Sequence, residues 1–243
     1  MSILVEVCAG SLEDCIIAEA AGADRIELNS ALALGGLTPS AGLLKTVLEK
    51  CALPIIMMLR PRSGGFAYSE GEFATMKADL MFGKELGITG FAFGIFTDSG
   101  KLDYPRCQEL IELADDHETV LHRAFDLLKN PDLEKIIDLG FDRILTSGKA
   151  ATAWAGRDYL KELVEKYSAQ IGIVAASGVN IANAHKLVNF CGLREIHGTF
   201  SSDSMDITAN QNQLIDFTSK SAGEIFRTAD FDKISEIIKT FAK

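Results

Sequence analysis

The sequence predicts a single α/β domain, a closed parallel (β/α)8 barrel of the TIM type, and three observations predict it. Short strands rich in Val, Ile and Leu alternate with longer amphipathic segments in one unbroken series. Eight such strands fit into 243 residues, close to the roughly 250 that one barrel of this kind needs. No linker, low-complexity tract or charge block divides residues 1–243. Strict β-α alternation implies parallel strands joined by right-handed crossovers. An open doubly wound sheet is the alternative arrangement of the same elements.

In chain order, strand ILVEVC (3–8) leads into helix SLEDCIIAEAAG, and DRIELN (24–29) precedes helix SAGLLKTVLEKC. PIIMMLR (54–60) comes next, with SEGEFATMKADLMFGKELG after it, then GFAFGIF (90–96) with YPRCQELIELADD. TVLHRA (119–124) is followed by PDLEKIIDLG, and DRILTS (142–147) by RDYLKELVEKY. IGIVAAS (171–177) with NIANAHKLVNFCG and the eighth strand LREIHGT (193–199) close the series. Most strands follow a helix-ending signal such as AGAD, ELGITG or DLGFD, in which glycine supplies the left-handed residue. Residues 199–229 form an irregular segment before the last helix, DFDKISEIIKTFA. That segment is too long for a plain connector and is expected to be a flap or to hold a helix near NQLIDFTSKS.

The formal net charge of -10 disfavours nucleic acid and anionic membrane surfaces as partners, so any anion site must be local. No apolar run reaches the roughly 18 residues of a membrane span, and MSILVEVCAG has no basic region ahead of its apolar one. The expectation is a cytoplasmic protein with reduced thiols. Its five cysteines contain no CxxC pair, which signals neither a disulfide framework nor a structural zinc site. Cys15, Cys51, Cys107 and Cys191 fall in or beside helices and read as small buried hydrophobes, whereas Cys8 ends a strand. The partners expected are a small-molecule or metal ligand and further copies of the chain in a homo-oligomer.

In a closed parallel barrel, functional groups gather at the carboxyl ends of the strands. There the sequence offers Glu6 and Cys8 on the first strand, Glu27 and Asn29 on the second, and Arg60 with Arg62 on the third. His122, Arg123 and Asp126 follow the fifth, Ser147 the sixth, Ser177 the seventh and His197 the eighth. Period-two alternation puts Glu6 with Cys8, and Glu27 with Asn29, on one face each. Glu6, Glu27, Arg60 and His122 form the candidate catalytic cluster, with Arg60 as the expected counter-charge of both carboxylates. Arg62, Arg123, Asp126, Ser147, Ser177 and His197 are the candidate ligand-binding residues, because guanidinium forks suit carboxylates and phosphates and imidazole exchanges protons near neutrality. A purely structural ion-pair layer inside the barrel is the competing explanation. Glycines in LGGLTPS, RSGGF, TSGK, ASGVN and HGT sit just past strands, where backbone can approach an anion.

The stretches VEVCAGSLEDCIIAEAAGADRIELNSALALGGLTPS, MLRPRSGGFAYS, LHRAFD and GFDRILTSG resemble the CutC family of copper homeostasis proteins, from residue 3 to about residue 200. The resemblance implies a (β/α) barrel, a cytoplasmic role in copper handling and a Cu(I) site near two cysteines at the first two strand ends. The first of these cysteines matches Cys8. The second, in the family's RIELC motif, is matched by Asn29, and the family's RPRGGDF reads RPRSGGF here. Cu(I) prefers thiolate and thioether ligands, so Cys8 would need help from Met57, Met58 or His197, and the two methionines cannot both face inward.

Three functions are compatible with this reading. The first is copper handling at Cys8. The second is catalysis on a small anionic metabolite, sugar- or phosphate-like, held by Arg60 and Arg62 with His122 as acid or base. The third is a hard-metal site of Glu6, Glu27 and His122.

Overall fold

The computed structural model describes residues 3–206, 208 and 225–241. Eight strands, β1 (Leu4–Ala9), β2 (Arg25–Leu28), β3 (Ile55–Met58), β4 (Gly90–Phe93), β5 (Glu118–Leu121), β6 (Arg143–Thr146), β7 (Gly172–Ala175) and β8 (Glu195–Gly198), pair in chain order and close as β8 pairs with β1. Every pairing is parallel. The expected closed barrel is therefore what forms, rather than the open sheet. The helices between strands are α1 (Leu12–Ala20), α2 (Ala41–Lys50), α3 (Glu70–Leu86), α4 (Tyr104–Ala114), α5 (Leu133–Leu139), α6 (Arg157–Tyr167) and α7 (Ala184–Cys191), and α8 (Phe231–Phe241) follows the last strand. Among the described residues no helix is long and apolar enough to cross a membrane.

Side-chain parity along each short strand sorts residues into two cores. Outward-facing Val5, Val7, Ile26, Leu28, Met57, Phe91 and Phe93 join the helix faces in the outer core. Inward-facing Ile56, Met58, Ala92, Val120, Leu145, Val174 and Ala176 fill the lumen. Met57 and Met58 thus face opposite ways, as alternation requires. Asp24 and Asp142, which precede β2 and β6 in the two Asp-Arg-Ile stretches, make equivalent bonds: each Oδ2 accepts the amide of the second residue of a neighbouring strand, from Val5 at 2.8 Å and from Thr119 at 2.7 Å.

Past β8 the chain turns back into a feature the sequence reading did not foresee, an antiparallel pair of β9 (Ser201–Met205) and β10 (Ile225–Ala229). Its base is anchored to the start of the chain by Asp14, whose Oδ1 accepts the Ala229 amide at 2.8 Å. The helix expected near NQLIDFTSKS lies outside the described residues.

Candidate functional site

Inward parity on β1, β2 and β8 stacks charge in the lumen. Glu6 faces Arg25 across one strand pair and His197 across the other. Its carboxylate accepts from Arg25 Nε at 2.5 Å, Arg143 Nη1 at 3.1 Å and His197 Nδ1 at 2.7 Å. Arg25 and Arg143 also reach Glu195, and Arg143 reaches Glu118, so a buried ionic layer floors the barrel. Burial opposes the charge on Glu6, yet the His197 hydrogen bond and the Arg143 and Arg25 charges hold its carboxyl well below the usual range. Burial likewise opposes the charge on His197, but the Glu27 carboxylate and the bond to Glu6 outweigh it and raise the imidazole pKa.

This floor corrects the sequence reading in two respects. The counter-charges of Glu6 are Arg25 and Arg143, not Arg60. Arg60 instead donates to the carbonyls of Leu34, Gly36 and Gly64 at 2.7–3.0 Å and lies over the Phe66 ring, so it staples the loops at the mouth. Arg60 lies two residues past the end of β3, whereas the register pairs Glu6 with the first residue of β2, so the two stand at different heights in the barrel. Glu6 itself belongs to the structural layer that had been the competing explanation.

Above the floor opens a cavity of 840 Å³ at the carboxyl ends of the strands. Of the predicted residues, Cys8, Glu27, Asn29, Arg60, His122, Arg123, Asp126, Ser177 and His197 line it. Glu6, Arg62 and Ser147 do not. Arg62 turns aside to the carboxylate of Glu72. Ser147 is fully buried and, with Thr146, holds Asp126, whose carboxylate also accepts the Ser147 and Lys149 amides and pairs with Arg123 Nε at 3.0 Å.

The densest chemistry is at Cys8, Glu27 and His197, whose donor atoms lie within 4.8 Å of one another. The Cys8 thiol donates to Glu27 Oε2 at 3.4 Å. Asn29 Nδ2 bridges the pair, donating to Glu27 Oε2 at 2.9 Å and to Cys8 Sγ at 3.4 Å. Burial first, and then the Glu27 charge, push the Cys8 thiol well above its ordinary pKa. A cation would reverse that preference, because thiolate, imidazole and carboxylate are all metal donors. The set that converges is therefore not the predicted Glu6, Glu27 and His122. His122 rises from β5, opposite β1 in the ring, and Glu6 is already committed to the floor.

The match to known proteins follows the same residues. The family model described as CutC family covers residues 3–202. The chain belongs to the CutC family. CutC from Treponema denticola is 43% identical over 198 residues, 81% of this chain and 80% of that protein. A human relative named copper homeostasis protein cutC homolog is 39% identical over 196 residues, 80% of this chain and 72% of its own length. The crystal structure of CutC from Streptococcus agalactiae superposes with a TM-score of 0.76 at 31% identity, covering 81% of this chain and 98% of that one. The matched CutC region carries all three converging donors, whereas Arg227 and Lys233, which also line the cavity, lie beyond it. Sequence reasoning missed both, Arg227 lying in the segment left irregular and Lys233 in the last helix, which was not placed at the cavity, and it missed the floor arginines Arg25 and Arg143. The latter were legible by parity, since Arg25, Glu27 and Asn29 share one face of β2.

Proposed function

We propose that this CutC-family protein binds one metal ion through Cys8, Glu27 and His197, with copper as the cargo in keeping with the names its relatives carry. The single observation behind the reading is the convergence of thiol, imidazole and carboxylate at the bottom of an accessible cavity. Cys8 and His197 supply the donors that a soft or borderline ion favours. A bound ion would replace the thiol proton that Cys8 shares with Glu27, the proton leaving to solvent, and Asn29 keeps thiol and carboxylate side by side. All five cysteines are free thiols, which fits a reducing, cytoplasmic setting.

Titration with Cu(I) against a competing chelator under reducing conditions should give about one tight equivalent, and Cys8→Ser should lose at least about tenfold in affinity. Parallel titration with Zn(II) ranks the two ions, since carboxylate and imidazole also suit zinc. Wild-type affinity no better than that of an unrelated barrel would remove the metal reading.

A second reading is favoured by the cavity itself, which is far larger than one ion requires. It is lined by Arg60, Arg123, Arg227 and Lys233 and by the carboxylates of Glu27 and Asp126, with Arg227 and Lys233 also paired to Asp203 and Asp230, so cations concentrate along its wall in a protein of net charge -10. That lining suits a small anionic metabolite, as substrate or as co-ligand of the ion.

A further inference from the structure

His122 is a buried side chain of the cavity wall whose hydrogen-bonding direction the fold fixes. It stands directly after β5 as the cap of a short 3-10 turn, Arg123–Leu127, and its Nδ1 accepts the Ala124 amide at 3.2 Å. An amide can only donate, so Nδ1 must present its lone pair and the neutral ring carries its proton on Nε2. Nε2 is buried and has no partner among the described residues, in a residue only 3% exposed. Leaving such a donor unmet costs about 1–3 kcal/mol, which an oxygen bound beside it in the cavity would recover.

The surroundings keep the ring in that state. Phe66 packs against it with centroids 4.8 Å apart. A Cβ at residue 94 would lie 3.0 Å from Nδ1 and Cε1, so glycine there makes room for the imidazole. Burial, then the charges of Arg60 and Arg123, push its pKa down to about 3. That shift favours the neutral ring.

A neutral imidazole donor packed on Phe66, with Arg60 and Arg123 nearby, matches an oxygen that is uncharged when bound and gains charge on polarisation, which is a carbonyl oxygen. The cationic lining adds a negative charge elsewhere on the same molecule. We propose that the cavity binds a small anionic carbonyl compound, a 2-oxo acid or a close chemical equivalent, whose carbonyl oxygen accepts the Nε2 hydrogen of His122. This inference rests on the small-anion reading of the cavity and names its ligand class.

Two measurements on the full chain test it. Long-range 1H–15N spectra of labelled protein should show His122 protonated on Nε2 alone and unchanged from pH 8 to about pH 4.5. A ring protonated on Nδ1, or titrating in that range, would overturn the proposal. Pyruvate and 2-oxoglutarate are then titrated beside propionate and glutarate, which lack the carbonyl. The oxo acids should shift the Nε2 resonance and bind about tenfold more tightly than their partners, the worth of one good hydrogen bond.

His122→Asn retains a capping acceptor for Ala124 while removing the Nε2 donor. It should bind each oxo acid and its partner equally. Equal affinities in the unaltered protein, or an oxo preference surviving in His122→Asn, sink the carbonyl assignment while leaving the anion reading standing. Absence of binding by all four acids sinks both.

Discussion

At the scale of single residues, the two lumen histidines are tuned in opposite directions by what they touch. His197 sits between Glu6 and Glu27 and is drawn toward its charged form. His122 faces arginines and apolar rings and is kept neutral. The sign of each effect on stability follows from linkage. The raised pKa of His197 contributes stability at acidic pH, and that contribution disappears as pH climbs through its folded value, above the ordinary 6.5 or so. The depressed pKa of His122 works the other way: the unfolded chain takes up its proton below about 6.5 and the folded one only near 3. Between those values His122 alone should lower stability by up to about 1.4 kcal/mol for each unit of acidification. Urea unfolding of wild type and His122→Asn across this window measures it. An identical pH slope in both proteins would show that the imidazole is charged in the native state.

At the scale of elements, each strand delivers its residues to floor, lumen or mouth by parity and height. This is why so much of the site could be read from sequence. Glu27 and Asn29 share a face, Cys8 ends its strand, and His197 lies one position along β8 from the mouth. Height was harder to read than face. Arg60 and Glu6 are both inward, but they stand at different levels, and nothing in the sequence of either strand sets that stagger; it is fixed by the closed register. Arg62 shows the reach of a neighbouring element. Its partner Glu72 is the third residue of α3 and accepts the Ser69 amide at 2.8 Å, while the Ser69 hydroxyl accepts the Glu72 amide at 3.2 Å. One capping box thus stations an arginine as well as starting a helix. Ser69→Ala should cost about 1 kcal/mol, seen as a melting temperature lower by roughly 2–4 °C. An unchanged melting temperature would mean that Glu72 and Arg62 hold the helix start without the serine.

At the scale of the whole molecule, eight strands and the order of their helices were plain in the alternating pattern, because local periodicity survives any packing. The β9–β10 pair was not, since its arms carry Ser, Asp, Thr and Arg where strand signals are weak, and pairing distant segments leaves no local trace. The ionic floor joins the two kinds of information. Its members come from β1, β2, β5, β6 and β8, and each arginine balances more than one carboxylate. Arg143→Met should therefore cost about 3–5 kcal/mol in urea unfolding, because Glu6, Glu118 and Glu195 lose a shared counter-charge inside the lumen. A loss below about 1 kcal/mol would place that charge balance on Arg25 alone.

The floor also bears on how the ring comes together during synthesis. Glu6 emerges early, but its contacts with Arg143 and His197 span 137 and 191 residues of sequence. A half-ring formed on the way would enclose carboxylates whose cations have yet to be made, so water must stay inside until the final strand arrives. Drying of the interior and completion of the circle should be one event, with open rings excluded from the stable states by electrostatics rather than by shape.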